Sequence, residues 1–298
     1  MPVEIEKDIV YKHSAGKALS LDLFTPAEKK EPLPVLIYFH GGGWSGQDKA
    51  DIQKESQKYI LESFIRTGWA VLSVNYTLVD RTIHFPNPIT DCKDAVRWVR
   101  KNAGACNFDA GKIGLWGSSA GAHLAMMAAY SGDADFCGDA ALSGYSPKVN
   151  FVIDVFGPAE MNKLFRTDMR DITKNIFRIF EKERYKGYQE TLFNITGCNP
   201  DEGMEKIREF FSLYSPLSHV SENTVPTVIF HGDRDKTVSI EQSRMLDKKL
   251  TEKNVPHEFT VFKNAGHGFG NLRREHIESM TERLREFVIR QAFEFSGE

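Results

Sequence analysis

The sequence is poor in cysteine and has no disulfide or zinc pattern. Its 298 residues include four cysteines, and none of them forms a C-x-x-C spacing or has a histidine neighbour at metal-ligand distance. We therefore expect reduced thiols, no metal site and no cofactor. A chain of this length with 41% hydrophobic residues can bury a large core without a metal or a disulfide. The cysteines are Cys92, Cys106, Cys137 and Cys198.

The sequence also lacks a charge imbalance and a long apolar run. Its formal net charge is -3 and no basic stripe is present, so neither nucleic acid nor an anionic membrane is expected as a partner. Residues 1–22 alternate charged and apolar positions, unlike a signal peptide or a membrane span. We therefore expect a cytoplasmic protein. No feature of the sequence indicates an oligomeric state.

Short apolar runs that alternate with amphipathic stretches predict an α/β fold. Residues 5–11 and 19–24 predict an antiparallel hairpin around Gly16. Further strands are predicted at residues 35–39, 70–74, 113–116, 149–155, 227–230 and 258–262. Helices are predicted at residues 51–67, 88–102, 120–130, 240–253 and 275–293. With no repeats and no low-complexity linker, the sequence predicts one domain over residues 1–298.

Residues 158–216 do not fit a strand-helix repeat. Apolar residues recur there at helical spacing, as in Met161, Leu164 and Phe165. The segment therefore predicts several short amphipathic helices inserted between strands. An insertion of this size at the strand ends is where a lid or a pocket wall would lie, so we expect a helical lid.

The segment of residues 117–121, Gly-Ser-Ser-Ala-Gly, stands between an apolar run and a small-residue helix. A serine hydroxyl is a weak nucleophile and must stand clear of its surroundings to meet a base and a carbonyl carbon. A sharp strand-to-helix turn would expose Ser119 in this way, provided that Gly117 and Gly121 carry no side chains. The start of the helix also directs backbone N–H groups at the same point. The pattern therefore predicts that Ser119 is a nucleophile.

Residues 40–44, His-Gly-Gly-Gly-Trp, directly follow a predicted buried strand. Three consecutive glycines lose much entropy on folding, which favours a site of close approach or positive φ. One interpretation is a flexible turn. Beside a serine turn, the pattern favours an oxyanion hole, in which the N–H groups of Gly42, Gly43 and Ala120 would face the negative oxygen of a tetrahedral intermediate.

His267 is the candidate base among nine histidines. It lies in a short glycine-flanked loop just past a strand, where a ring can reach over the sheet edge. His40 and His231 end buried strands and are expected to be structural, and the ring of His123 is expected to project along its helix away from Ser119.

Two carboxylates compete as the partner of His267. Asp235 is favoured and Asp233 is its rival, since both follow the strand predicted at residues 227–230. The order Ser119, Asp235, His267 is that of α/β hydrolases and differs from the triad orders known on two unrelated folds.

Four motifs together resemble α/β-hydrolase carboxylesterases. They are HGGGW at residues 40–44, GSSAG at 117–121, HGDRD at 231–235 and GHGF at 266–269. The chain resembles the hormone-sensitive-lipase-like group and, more closely, the BD-FAE esterases, relatives of feruloyl and acetyl xylan esterases. The sequence Asn-Tyr-Thr-Leu at residues 75–78 departs from the Asp-Tyr-Arg-Leu that hormone-sensitive-lipase relatives tend to have.

The resemblance implies an α/β-hydrolase fold, with a mostly parallel sheet flanked by helices, and serine esterase activity on a small-molecule ester. It assigns Ser119 as nucleophile, Asp235 and His267 as its partners, and Gly42, Gly43 and Ala120 as oxyanion donors. It implies no metal and no cofactor. Short-chain or carbohydrate-linked acyl esters are the expected substrates. The alternatives are an arylformamidase, which would use the same triad on an N-formyl amide, and a ligand-binding protein on a hydrolase scaffold.

Overall fold

The computed structural model describes residues 2–28, 31–169, 173, 178–179, 181–269 and 274–294. The strands are β1 (Val3–Ser14), β2 (Lys17–Pro26), β3 (Leu33–Phe39), β4 (Ala70–Val74), β5 (Phe108–Ser118), β6 (Phe151–Val155), β7 (Thr227–Gly232) and β8 (His257–Phe262). They form an eight-stranded sheet in the order β1-β2-β4-β3-β5-β6-β7-β8. β2 pairs antiparallel with β1 and β4, and the other neighbours are parallel.

Helices cover both faces of this sheet. Their bounds are Glu55–Arg66, Asn87–Lys101, Ala103–Cys106, Ala120–Tyr130, Met161–Leu164, Lys182–Thr196, Glu205–Leu213, Pro216–His219, Glu241–Glu252 and Arg274–Glu294. One apolar core packs the first and last of these helices against the sheet, and a second core packs the helices Asn87–Lys101, Ala120–Tyr130 and Glu241–Glu252 against the other face. The predicted α/β-hydrolase fold is confirmed. Among the described helices, none combines the length and apolarity that a membrane crossing requires.

Most predicted elements are present, and one is divided. Residues 51–67 were expected to form a single helix. Instead, a 3-10 turn over Lys49–Gln53 precedes the helix Glu55–Arg66. Lys54 lies between them in an extended conformation, with ψ of 150°, which interrupts the helical backbone. This break faces the candidate active site described below.

The insertion of residues 158–216 contains several helices, as predicted, although one of them has 15 residues and is not short. They are Met161–Leu164, Lys182–Thr196 and Glu205–Leu213, followed by Pro216–His219. Residues 170–172, 174–177 and 180 lie outside the described residues. The insertion packs through a stack of Phe165 on Phe211, with ring centroids 5.0 Å apart, and Phe165 also contacts Trp44. Its apolar residues therefore join the core on one face of the sheet.

The crossing of β3, β5 and the helix Ala120–Tyr130 leaves no room for side chains at two glycines. A Cβ atom on Gly117 would lie 2.2 Å from the backbone of Gly121. A Cβ atom on Gly121 would lie 2.0 Å from the carbonyl oxygen of Phe39. The expectation that both positions must lack side chains is therefore confirmed.

Substitution of Gly121 by alanine is expected to destabilise the protein strongly. The added methyl group would meet backbone atoms, which cannot move as a flexible side chain can, so we expect a loss of about 3 kcal/mol in the free energy of unfolding. Urea unfolding followed by circular dichroism measures it. Gly104→Ala is the matched control, because a Cβ there meets nothing within 4 Å. This control should leave stability unchanged or raise it by up to about 1 kcal/mol. Equal effects of the two substitutions would contradict the steric explanation.

Candidate active site

Ser119 lies in the sharp turn between β5 and the helix Ala120–Tyr130. Its φ of 54° and ψ of -121° belong to a region that residues other than glycine rarely adopt. Its N–H donates a hydrogen bond of 2.9 Å to the carbonyl oxygen of Val155 on β6, and its own carbonyl accepts from the N–H groups of Ala122 and His123. These bonds hold the strained turn, which leaves the Ser119 side chain half-buried at the carboxyl edge of the sheet.

His267 and Asp235 complete a chain of hydrogen bonds from Ser119. The Ser119 hydroxyl lies 3.1 Å from Nε2 of His267 and donates to it. Nδ1 of the same ring donates to Oδ2 of Asp235 over 2.7 Å. Asp233 takes a different position, because its Oδ1 accepts the N–H of Asn264 at 2.6 Å. The structure therefore brings Ser119, His267 and Asp235 together and leaves Asp233 to hold the loop before His267.

The carboxylate of Asp235 is ionised although its side chain is fully buried. Burial by itself would raise its pKa, but hydrogen bonds from His231, His267 and the N–H of Val238 outweigh burial and hold the pKa well below its usual range. The N–H of Thr237 also donates to Oδ1. Its Oδ2 thereby stays an acceptor for the Nδ1–H of His267.

His231 braces Asp235, which is a more specific role than the structural one expected from the sequence. Its Nε2–H donates to the carbonyl oxygen of Val238 at 2.9 Å and lies 3.4 Å from Oδ2 of Asp235. Its Nδ1 accepts from the hydroxyl of Ser243 at 2.7 Å. The two bonds together fix the tautomer that presents an N–H, and not a lone pair, to the carboxylate.

The HGGGW loop passes beside Ser119 in a left-handed backbone. Gly42 and Gly43 have φ values of 98° and 60°, and Trp44 has 62°. A Cβ atom on Gly42 would lie 2.2 Å from the carbonyl oxygen of Gly46, so this position requires glycine. Gly42 lines the same cleft as Ser119, whereas Gly43 and Ala120 do not line it. Ala120 directly follows Ser119 as the first residue of its helix.

Tyr76 fixes the start of this loop, a role that the sequence analysis did not identify. Its hydroxyl donates to the carbonyl oxygens of His40 and Gly41, at 2.9 and 3.1 Å. Its ring stacks on the ring of His40, with centroids 4.2 Å apart. Tyr76 lies in the segment of residues 75–78 that departs from the hormone-sensitive-lipase pattern, but the tyrosine is one of the two residues that both patterns share.

His123 joins the other end of the loop to the insertion. The indole N–H of Trp44 donates to Nδ1 of His123 at 3.3 Å, so Nε2 carries the proton and donates to the carbonyl oxygen of Tyr214 at 2.8 Å. Burial lowers the pKa of this ring to about 4, which keeps it neutral. Among the described contacts, the ring bonds to Trp44 and Tyr214 and not to the Ser119 hydroxyl.

A cleft of about 300 Å³ opens in front of Ser119 and His267. Its polar wall comes from the segment around the break at Lys54, and its apolar wall comes from the loop after β6 and from two residues nearer the carboxyl end. The polar residues are Gln47, Asp51, Lys54, Ser56 and Gln57, and the apolar ones are Phe156, Phe269 and Ile277. None of the described residues of the insertion at 158–216 lines the cleft, so its role as a lid stays a prediction.

A hydrogen-bonded network lies behind the polar wall. The Ser118 hydroxyl donates to Tyr38 over 3.0 Å, and Tyr38 donates to Oδ2 of Asp51 over 2.9 Å. Asp51 also forms an ion pair with Lys54. This network fixes the wall next to Ser119. Within the described residues, no group of three histidine, cysteine, aspartate or glutamate side chains could hold a metal ion.

The BD-FAE family model matches residues 21–250, which include the serine turn, the HGGGW loop and Asp235. The chain belongs to the BD-FAE family. Among curated proteins it is 27% identical over 243 residues to Esterase LipC of Mycobacterium tuberculosis, a match that covers 81% of this chain and 54% of LipC. The chain thus spans about half the length of this relative.

Solved structures of other proteins share the fold of this BD-FAE chain. A truncated carbohydrate esterase from gut microbiota superposes with a TM-score of 0.75 at 24% identity, covering 96% of each chain. An esterase from Thermogutta terrifontis with butyrate bound gives a TM-score of 0.72 at 25% identity, covering 98% of this chain and 95% of its own. The family match and these similarities agree with the resemblance recognised from the four motifs.

Asp154 is a second buried carboxyl group near the serine turn. It lies on β6 opposite Gly117 of β5, and its Oδ1 accepts the N–H of Gly157 at 2.7 Å. Its Oδ2 is buried without a hydrogen-bond partner among the described residues. Burial raises its pKa to about 7, against the opposing effects of the Gly157 N–H and of His231.

The shift at Asp154 predicts a pH-dependent contribution to stability. The folded carboxyl keeps its proton up to about pH 7 and the unfolded one only to about pH 3.8, so unfolding releases a proton between these values. The contribution is fully present below the lower value and is lost as pH rises through the higher one, by up to about 1.4 kcal/mol per pH unit. Asp154→Asn removes this titration. Its stability relative to wild type, measured by urea unfolding, should therefore rise from pH 5 to pH 8, and a constant difference would contradict the shift.

Proposed function

We propose that the chain is a serine carboxylesterase that hydrolyses short-chain or carbohydrate-linked esters. The proposal depends on one observation, the hydrogen bonds that run from the Ser119 hydroxyl through the His267 ring to the Asp235 carboxylate. A hydroxyl, an imidazole and a buried carboxylate in this order constitute an activated nucleophile. Membership of the BD-FAE family and the names of the similar esterases support the same activity.

The proposed reaction has two stages. Ser119 attacks the carbonyl carbon of the ester while Nε2 of His267 accepts its proton, and the negative charge of Asp235 stabilises the resulting imidazolium. The tetrahedral intermediate collapses as His267 returns the proton to the departing alcohol, which leaves an acyl group on Ser119. Water then attacks this acyl-enzyme with His267 as the base, and the acid is released.

Backbone N–H groups are the proposed donors to the oxyanion. Gly42 and Gly43 come from the HGGGW loop and Ala120 from the start of the helix after Ser119. Donors fixed before the reaction stabilise the developing charge without reorganisation, and loss of one such donor costs about 2.7 to 4 kcal/mol in other serine hydrolases. The contacts of Tyr76 with the carbonyls of His40 and Gly41 support this role, because they fix the loop from behind.

The dimensions and polarity of the cleft support a small polar substrate. Its volume of about 300 Å³ suits a short acyl group. The amides of Gln47 and Gln57 and the ammonium group of Lys54 can donate hydrogen bonds to the hydroxyl and ether oxygens of a sugar. The similar proteins include a carbohydrate esterase and an esterase with butyrate bound, which agree with both parts of the proposal.

Kinetics of the triad variants test the proposed mechanism. Wild type should hydrolyse p-nitrophenyl acetate and butyrate, and Ser119→Ala and His267→Ala should reduce kcat at least about a thousandfold, since each removes the nucleophile or its base. Asp235→Asn should reduce kcat by about 10⁴, because an amide favours the wrong tautomer of His267. Asp233→Asn is the matched control and should keep its activity, since Asp233 bonds to Asn264 and not to His267.

The same assay distinguishes the rival activities. Full activity of Ser119→Ala would contradict the proposed nucleophile. Faster turnover of N-formylkynurenine than of any ester would favour the arylformamidase alternative, which uses the same three residues. A wild-type protein that binds esters without hydrolysing them would instead be a binding protein.

A further inference from the structure

A second groove lies on the far side of the HGGGW loop from Ser119. It has a volume of about 380 Å³ and borders three segments, the turn between β1 and β2, residues 45–48 and residues 75–83. We name it the Gln47 groove, because Gln47 lines both this groove and the catalytic cleft. The proposed ester chemistry makes no use of it.

The Gln47 groove combines an apolar floor with a polar rim. Leu19 and Val79 on the floor are 7% and 3% exposed. The rim carries the exposed side chains of Lys17, Asp48 and Asp80, which offer both donors and acceptors. A sugar ring has the complementary pattern, with apolar C–H faces and hydroxyl groups around its edge. The groove therefore matches a saccharide better than a purely apolar ligand or an anion.

Hydrogen bonds fix the acidic groups of the rim and leave each of them able to accept more. Oδ1 of Asp80 accepts from the N–H groups of Thr82 and Ile83, at 2.7 and 2.9 Å, and from the Thr82 hydroxyl. Oδ1 of Asp48 accepts from the N–H of Ala50 at 2.8 Å. Among the described contacts, no hydrogen bond reaches Oδ2 of either carboxylate. Each aspartate can thus bind a ligand hydroxyl without a change of conformation.

Two hydrogen bonds join the opposing walls of the Gln47 groove. The N–H of Lys49 donates to the side-chain oxygen of Asn75 at 2.7 Å. The N–H of Val79 donates to the carbonyl oxygen of Trp44 at 2.9 Å. The groove is therefore preformed, and a ligand would not have to order its walls.

Gln47 forms the ridge between the two cavities. Its φ of 66° lies in the left-handed region, which is uncommon for a residue other than glycine. Its side chain packs over the loop, with Oε1 only 3.3 Å from the position that a Cβ on Gly41 would take. A ligand that occupies both cavities would cross Gln47 within reach of its amide. The ester at Ser119 and a neighbouring sugar could thus be held at the same time.

We propose that the Gln47 groove is a saccharide subsite that binds sugar units beyond the esterified one. The chain would then act on oligosaccharide or polysaccharide esters faster than on the corresponding monosaccharide ester. This inference rests on the proposed esterase function, since it assigns the alcohol side of the same substrate.

The proposal is tested by measuring kcat/KM on singly acetylated β-1,4-linked xylose oligomers of one to three units. p-Nitrophenyl acetate is the reference substrate, because it is too short to extend from the catalytic cleft into the groove. Wild type should show at least about a tenfold rise in kcat/KM from one unit to three, the effect of one hydrogen bond to a charged group. The double variant Lys17→Ala/Asp80→Asn should lose most of this rise and keep its rate on p-nitrophenyl acetate within about twofold. In Asp80→Asn, the amide retains a side-chain oxygen, which can still accept the hydrogen bonds from Thr82 and Ile83.

A second charged pair provides the matched control. Lys186→Ala/Asp201→Asn removes the same two charges from a different surface groove, on the insertion, and should leave the length dependence unchanged. Isothermal titration of unesterified xylotriose into Ser119→Ala adds a measurement that needs no turnover, and the binding it detects should weaken at least about tenfold when Lys17→Ala/Asp80→Asn is added.

The outcomes separate the subsite from the activity. A wild type that hydrolyses p-nitrophenyl acetate but shows no dependence on oligomer length, or a dependence that the groove variant leaves intact, overturns the subsite and leaves the esterase standing. No hydrolysis of any ester overturns the proposed function. If xylotriose then still binds and the groove variant weakens that binding, the groove is retained as a saccharide site without the ester chemistry.

Discussion

The close contact between the helix after Ser119 and the ends of β3 and β5 is the constraint on which the candidate site depends. The backbone of Gly121 lies so close to the carbonyl of Phe39 that even a methyl group would not fit. This contact fixes the height of the serine turn above the sheet and its distance from the HGGGW loop, which continues directly from Phe39. Both Ser119 and the proposed oxyanion donors therefore take their positions from one point of backbone packing.

The candidate site also depends on the negative charge of Asp235, which is stabilised by hydrogen-bond donors close to it. A buried carboxylate is unfavourable unless several donors surround it. Here the donors come from the backbone of the same loop and from His231 at the end of β7, whose own tautomer is set by Ser243. Asp154 shows the opposite result one strand away, where burial without enough donors raises the pKa of the carboxyl group. The number of donors, and not burial alone, separates the two carboxyl groups.

The fold and the residues brought together at the site could be predicted from the sequence because each has a local signal. Ser119 and His267 are separated by 148 positions, yet each follows a strand and has glycines within two positions on both sides. Parallel strands end at the same edge of a sheet, so residues after their carboxyl ends meet there. Asp233 and Asp235 share one loop, and no periodicity distinguishes them. In the structure, the bond of Asp235 to His267 and the contact of Asp233 with Asn264 separate the two.

The walls of the cleft could not be predicted, because they depend on contacts between distant loops. Asp51 lies in the 3-10 turn before Lys54 and accepts a hydrogen bond from Tyr38, and nothing in the helical pattern of residues 51–67 indicates the break at Lys54. Tyr76 supports the HGGGW loop from 35 residues away, and Trp44 is joined to Tyr214 through His123. A sequence motif indicates which residues take part in the reaction, but many different sets of supporting residues can hold them in place. Substrate selection depends on these supporting residues, so family membership does not identify the substrate. The shape and polarity of the two cavities limit the range of substrates that would fit.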